Sequence, residues 1–182
     1  MNKSGFLINK LVLTGNNVKP AVIEFKKGLN VISGPTSTGK SFIFDCLNFM
    51  FGGKSLERKP PEADNYDKIY IEIESKNGDY YTLERAINGG QFNLFYSRYN
   101  DIGSQNPKII LAKLVKDNDE NISSFFLNLC NLNKKEIRKN IKGTKFPLSF
   151  RDLCHLCLIS ENEITKTESP IFAKGGFQKQ KN

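Results

Sequence analysis

The sequence predicts an α/β fold with an antiparallel β-meander at its centre and a helical C-terminal part. Three observations predict it. A glycine-rich loop, GPTSTGKS, stands between an apolar segment and an amphipathic one; alternating segments broken by Asn-Gly and Gly-Gly follow; helix-spaced apolar residues fill the last third. The length of 182 residues fits one domain or slightly more, and 38% hydrophobic with 25% charged residues is ordinary for a globular chain.

The elements follow in order. LINKLVLTG and AVIEF read as two antiparallel strands at a sheet edge, and LNVIS as a buried strand running into the glycine loop. From Lys40 the pattern turns helical, with Phe42, Ile43, Cys46, Leu47 and Met50 on one side and Gly52 with Gly53 as the stop. KPPEADNYD, with paired prolines and acidic residues, is expected to break regular structure. KIYIEIES then alternates strictly, placing Ile69, Ile71 and Ile73 on one face. Asn77-Gly78 signals a hairpin into YYTLER, and INGG turns the chain into QFNLFYSRY with Phe92, Leu94 and Tyr96 on one face. PKIILAKLVKD, ISSFFLNLC and FRDLCHLCLIS have helical spacing, the last preceded by a Ser149/Asp152 capping box. Polar residues dominate after Ile164, so one domain is expected over 1–168 and a disordered tail over 169–182.

The net charge of +8 permits a polyanionic partner. Its densest part is NKKEIRKNIKGTK, where Lys134, Lys135, Arg138, Lys139, Lys142 and Lys145 face Glu136 alone. Two readings stay open: a solvated helix face and loop, or a contact to a phosphate backbone, the latter without interleaved aromatics for base stacking. Met1 to Lys10 is polar throughout and no apolar run reaches membrane-spanning length, so a cytoplasmic protein without a membrane partner is expected. Cys46, Cys130, Cys154 and Cys157 lack regular spacing and read as reduced, mostly buried thiols.

GPTSTGKS satisfies G-x-x-x-x-G-K-[ST] in full. Such a loop wraps backbone N–H groups around a phosphate, so glycine is needed where a Cβ would collide, and the following helix aims its positive end at the same anion. The expected nucleotide-binding residues are Gly34, Pro35, Thr36, Ser37, Thr38, Gly39, Lys40, Ser41 and Phe42, and the expected cofactors are ATP and Mg²⁺. Lys40 would reach the β- and γ-phosphates, and the Ser41 hydroxyl would ligate the metal. Turnover needs a further carboxylate for Mg²⁺, and LCLISE, ending in Ser160 and Glu161, is the best candidate for a strand bearing one, though it reads as helix equally well. CHLC has metal-ligand spacing without a second pair, so its cysteines read as packed in a helix rather than on zinc. His155 is the one histidine, and no nucleophile elbow accompanies it.

On these residues the sequence resembles the N-terminal half of an SMC-type ABC ATPase, a P-loop NTPase head of the kind found in RecN, SbcC and SMC-like subunits of anti-phage systems. The likeness spans roughly residues 5 to 165 and is densest in FKKGLNVISGPTSTGKSFIFDCLNFMFGG, with Thr36 and Ser37 where such proteins commonly have Asn-Gly. It implies that Glu161, in FRDLCHLCLISENEI, stands at the position of the family's Q-loop glutamine, which contacts Mg²⁺ and the attacking water. It also implies a coiled coil and a C-terminal half with a signature motif, neither of which follows in this sequence. The expectation is an incomplete ATPase, whether a fragment, a truncated reading frame or half of a split protein, that binds ATP weakly and hydrolyses little alone. The implied partners are DNA, reached through the whole ATPase, a C-terminal half or second head, and a nuclease subunit; the implied work is DNA repair, recombination or phage defence. A self-sufficient small P-loop kinase or NTPase and a non-catalytic DNA-binding module are the alternatives.

Overall fold

The computed structural model describes residues 4–56, 58–115, 118–138 and 143–165. The expected tail over 169–182 lies outside them, as do Lys139 and Lys142 and the His155 side chain. Six strands form one sheet in the order β2-β1-β3-β4-β5-β6: β1 (Phe6–Gly15), β2 (Ala21–Glu24), β3 (Tyr66–Ser75), β4 (Tyr80–Ala86), β5 (Phe92–Phe95) and β6 (Lys108–Ile110). Every neighbouring pair is antiparallel. Helices α1 (Lys40–Met50), α2 (Ile122–Leu129) and α3 (Phe150–Cys157) supply the other side of the core; β7 (Glu136–Arg138) and β8 (Lys145–Pro147) form a separate ribbon, and α4 (Glu161–Ile164) follows.

The alternation read in β3 is what builds the core. Ile69, Ile71 and Ile73 are completely buried, and Leu83, Phe92 and Leu94 continue the same face across β4 and β5. In β1 the core residues change parity, from Phe6 and Ile8 to Leu11 and Leu13, because the register against β3 slips by one between Ile8 and Lys10. The extra residue is Asn9, a β-bulge that keeps both halves of the strand facing inward. Its side chain stays polar-side out, donating toward Glu72 and Glu74. Phe126 of α2, stacked on Phe150 of α3 at 4.7 Å between ring centroids, closes the core with Phe6 and Phe51 edge-on or tilted around them.

The stops fall where glycine is needed. Gly52 takes a φ of 91° and the Gly53 N–H bonds back to the Asn48 carbonyl, a Schellman-type end that stops α1 as expected. The β3–β4 turn uses Gly78 at a φ of 94°, with the Ser75 hydroxyl accepting from the N–H groups of Asn77 and Asp79. Ser149 and Asp152 make the full capping box expected at the start of α3.

Five expectations are corrected. LNVIS forms no strand: Leu29 is 90% and Val31 76% exposed, because no strand among the described residues offers the segment a ladder, and an unpaired run has no burial to gain from extension. KIIL is not helical. Lys108–Ile110 instead pairs with the free edge of β5, where three ladder positions outweigh a short helical pattern. NKKEIRK begins a β-ribbon rather than a helix face, with Ile137 opposite Phe146 and Arg138 opposite Lys145. The proline break contains a 3₁₀ turn, Pro61–Ala63, that buries Ala63. Finally, Tyr96 lies beyond β5 and is exposed, while Phe92 and Leu94 are buried as expected.

Candidate functional site

The glycine loop runs without regular structure over residues 33–39 and enters α1 at Lys40. Its residue before the helix, Gly39, is left-handed at a φ of 83°, and no side chain caps the helix there. No acidic residue stands in the first turn either. The first N–H groups of an 11-residue helix therefore point outward unpaired by side chains, with the positive end of the helix dipole behind them. Ser37 is also left-handed, at a φ of 64°, at one of the two positions where glycine-containing loops of this kind carry Asn-Gly.

The loop is held in shape by its own polar groups. The Thr38 hydroxyl donates to the Pro35 carbonyl at 2.8 Å, and the Lys40 ammonium donates to the Gly34 carbonyl at 2.8 Å and to Pro35 O. A Cβ on Gly34 would stand 3.1 Å from Thr38 Oγ1, tighter than an ordinary contact, so glycine keeps that side of the loop open. Lys40 thus lies back across its own loop, with its ammonium on the loop carbonyls. Ser41 is exposed at the second helical position and its hydroxyl makes no hydrogen bond among the described residues. Backbone donors, one ammonium and one free hydroxyl fit a polyphosphate with a divalent cation; Thr36 lies exposed in the loop and Phe42 is half-buried behind it.

Glu161 is not brought to this loop by any contact. It is exposed at the first position of α4, and among the described residues its side chain makes no hydrogen bond or ion pair. A capping box that sequence reading missed precedes it, with Ser160 N donating to Glu163 Oε2 at 3.1 Å. LCLISE is accordingly the end of α3 and the start of α4, so the strand alternative is overturned. Of the CHLC cysteines, Cys154 is buried and its thiol is pushed up to about 11 by that burial, whereas Cys157 is exposed; all four cysteines are free. Cys130 is only half-buried, which departs from the expectation of mostly buried thiols in two of four cases.

Two buried charged groups beyond the motif belong to or contact the helix that follows the loop. Arg85 of β4 is buried, and its guanidinium donates to Phe49 O and Gly53 O, both at 2.8 Å, at the C-terminal end of α1. It lies between the rings of Phe49 and Phe92, 3.9 Å and 4.6 Å from their centroids. Burial without a carboxylate lowers it to about 10. Asp45, one turn after Ser41, is buried too, and its Oδ2 meets Arg58 Nε at 3.3 Å without hydrogen-bond geometry. Next to the loop opens a cavity of about 520 Å³ between β1, β2 and the first half of α1, reaching Ser37, Thr38 and Gly39.

The profile of the AAA domain family matches residues 16–169. The chain belongs to that family. The match spans the loop, α1 and the whole meander, and AAA domains are P-loop NTPase domains that use nucleotide and Mg²⁺ generally. Among curated relatives, the chromosome partition protein Smc of Thermoplasma acidophilum is 63% identical over 35 residues, 19% of this chain and 3% of that protein. The DNA repair protein RecN of Aquifex aeolicus is 27% identical over 99 residues, 54% of this chain and 16% of that protein. This AAA domain is therefore SMC-like, and it spans a small part of the length of either relative.

Proposed function

We propose that this AAA domain is the ATP-binding lobe of an SMC-like ATPase acting on DNA in repair, recombination or phage defence. The observation that carries the reading is the loop of residues 34–41 at an uncapped helix start, with Lys40 already drawn to the loop carbonyls. In this reading the N–H groups of residues 37–41 cradle the β-phosphate, Lys40 turns from Gly34 O and Pro35 O to the phosphates, and Ser41 Oγ ligates Mg²⁺. Bound Mg²⁺ neutralises charge on the transferred phosphoryl group. Glu161, exposed and without a side-chain partner among the described residues, would stand in for the Q-loop glutamine as a further ligand to the metal.

The exposed LNVIS segment supports a second requirement. Leu29, Val31 and Ile32 form an apolar, strand-patterned run directly before the loop, with no ladder partner among the described residues. A C-terminal half supplying a neighbouring strand would bury it, fix the loop's entry, and bring the carboxylate strand and signature motif that hydrolysis needs. Head association and contact with DNA then belong to the assembled cytoplasmic ATPase, with a nuclease subunit as a further partner.

Titration calorimetry of the chain with MgATP tests the core of this reading. Binding is expected, with Lys40→Ala weakening it at least tenfold while the far-ultraviolet spectrum stays unchanged, since Lys40 anchors only its own loop. Equal affinities for the two proteins would sink it.

A further inference from the structure

Three of the four cysteines stand on the helix pair that closes the core. The starts of α2 and α3 lie side by side: the Phe150 N–H donates to Ser123 Oγ at 2.8 Å, and a Cβ on Gly52 would stand 3.2 Å from Ile122 and 3.8 Å from Arg151. The rings of Phe126 and Phe150 stack at 4.7 Å. One turn beyond Phe126 is Cys130, the residue that ends α2; one and two turns beyond Phe150 are Cys154 and Cys157, at the end of α3. The helical period puts each on the face that carries the stacked ring, so two helices running side by side from adjacent starts bring the three thiols to adjacent ends.

Electrostatics agree with that placement. Burial raises the thiols of Cys130 and Cys154, and the neighbouring Cys157 adds to the rise in both. Axes of packed helices lie about 8–10 Å apart with each Cα about 2.3 Å off its axis, so facing Cα atoms come to about 5 Å, inside the span that a disulfide bridges. Access separates the three. Cys154 is 5% exposed and packed in the core, with no opening to an oxidant. Cys157 is open to solvent and Cys130 is half-buried beside it, which makes these two the reactive pair.

We propose that Cys130 and Cys157 are a peroxide-oxidised thiol pair, forming a reversible disulfide that ties the end of α3 to the end of α2. The Cys157 thiolate attacks one oxygen of hydrogen peroxide; the O–O bond breaks, Cys157 becomes a sulfenic acid, and the other oxygen leaves as water with the proton of the thiol. The Cys130 sulfur then attacks the Cys157 sulfur: the S–S bond forms, the S–O bond breaks, and hydroxide leaves as a second water with the Cys130 proton. Two thiols lose two electrons and the peroxide gains them. A dithiol reductant reverses the bond by exchange. The bond closes residues 130–157 into a covalent loop around β7 and β8, whatever the glycine loop binds.

The test treats the full chain with hydrogen peroxide and blocks the remaining thiols in denaturant. The intact mass is expected to fall by two hydrogen atoms, a non-reducing peptide map to join Cys130 to Cys157, and dithiothreitol to reverse both. The midpoint of urea unfolding should stand about 1.5 M higher in the bridged chain than in the reduced one. Cys157→Ser, a change at an exposed position, abolishes the bridge; Cys130→Ser leaves Cys157 as a sulfenic acid that dimedone labels; Cys154→Ala keeps the bridge. A map that joins Cys157 to Cys154, bridges found only between two chains, or Cys157 driven to sulfonic acid without a bridge overturns the proposal. So does an unfolding midpoint that falls when the bridge forms.

Discussion

Replacing Arg85 by methionine keeps a long stem between Phe49 and Phe92 and removes the guanidinium that ends α1. Two carbonyls at 2.8 Å lose their donor in that exchange, and both lie at the end of the helix that starts at Lys40. A hydrogen bond to a charged group contributes about 1.5–3 kcal/mol, so the gross loss is about 3–6 kcal/mol. Against this stands the relief of no longer burying a cation without a carboxylate, the same burial that lowers Arg85 to about 10. A net loss of about 3 kcal/mol is expected, a large part of the usual stability of about 5–15 kcal/mol. Equilibrium urea unfolding reads it directly: with a slope of about 2 kcal/mol/M, the midpoint falls by about 1.5 M. Arg85→Lys should lose part of this, because a single ammonium can donate to Phe49 O and Gly53 O as the single Nη1 does, yet it lacks the Nε that donates to Gly90 O and the flat cation held between the two rings. A fall of less than about 0.3 M in both variants would refute the argument that this fork ties the loop helix to the sheet.

Gly15→Ala puts a Cβ 1.9 Å from the Asn65 carbonyl, so β1 and β3 must part at that end; a loss of about 3 kcal/mol by thermal or urea unfolding is expected. Ser149→Ala removes the hydroxyl that accepts from Asp152 N and contacts its carboxylate, and should cost about 1 kcal/mol, read as a shift in unfolding midpoint. Alkaline pH should destabilise the fold. Burial pushes Cys46 up to about 12 and raises Tyr70, so the unfolded chain releases those protons first; the stabilisation is complete below pH 9.0 and is lost as the pH rises toward 12. Cys46→Ala should flatten the fall by up to about 1.4 kcal/mol per pH unit, measured as urea midpoints between neutral and alkaline buffers.

The legible parts of this fold are those set by neighbours in sequence. The three isoleucines of β3, the glycines that stop α1 and turn the meander, and the capping box of α3 need only local backbone geometry and period, and each stands where the pattern puts it. The glycine loop is legible for the same reason, since its glycines, Lys40 and Ser41 lie within eight residues of one another. Lys108–Ile110 and the ribbon of β7 and β8 were not legible, because a three-residue strand exists only where an edge receives it. LNVIS fails in the opposite direction: its hydrophobicity is right for a buried strand, but burial is a relation to a partner.

By itself, then, the sequence determined the glycine loop, the helix behind it and the alternating strands, because short-range sterics and hydrophobic period act before any long-range contact forms. Tertiary structure alone decided that the buried guanidinium of Arg85 ends that helix, that the Asn9 bulge keeps β1 facing inward, and that Glu62 lines a cavity beside the loop. Each of these depends on atoms brought together from distant segments, and the energy of a buried charge or an open pocket is fixed by those neighbours rather than by the residue that bears it.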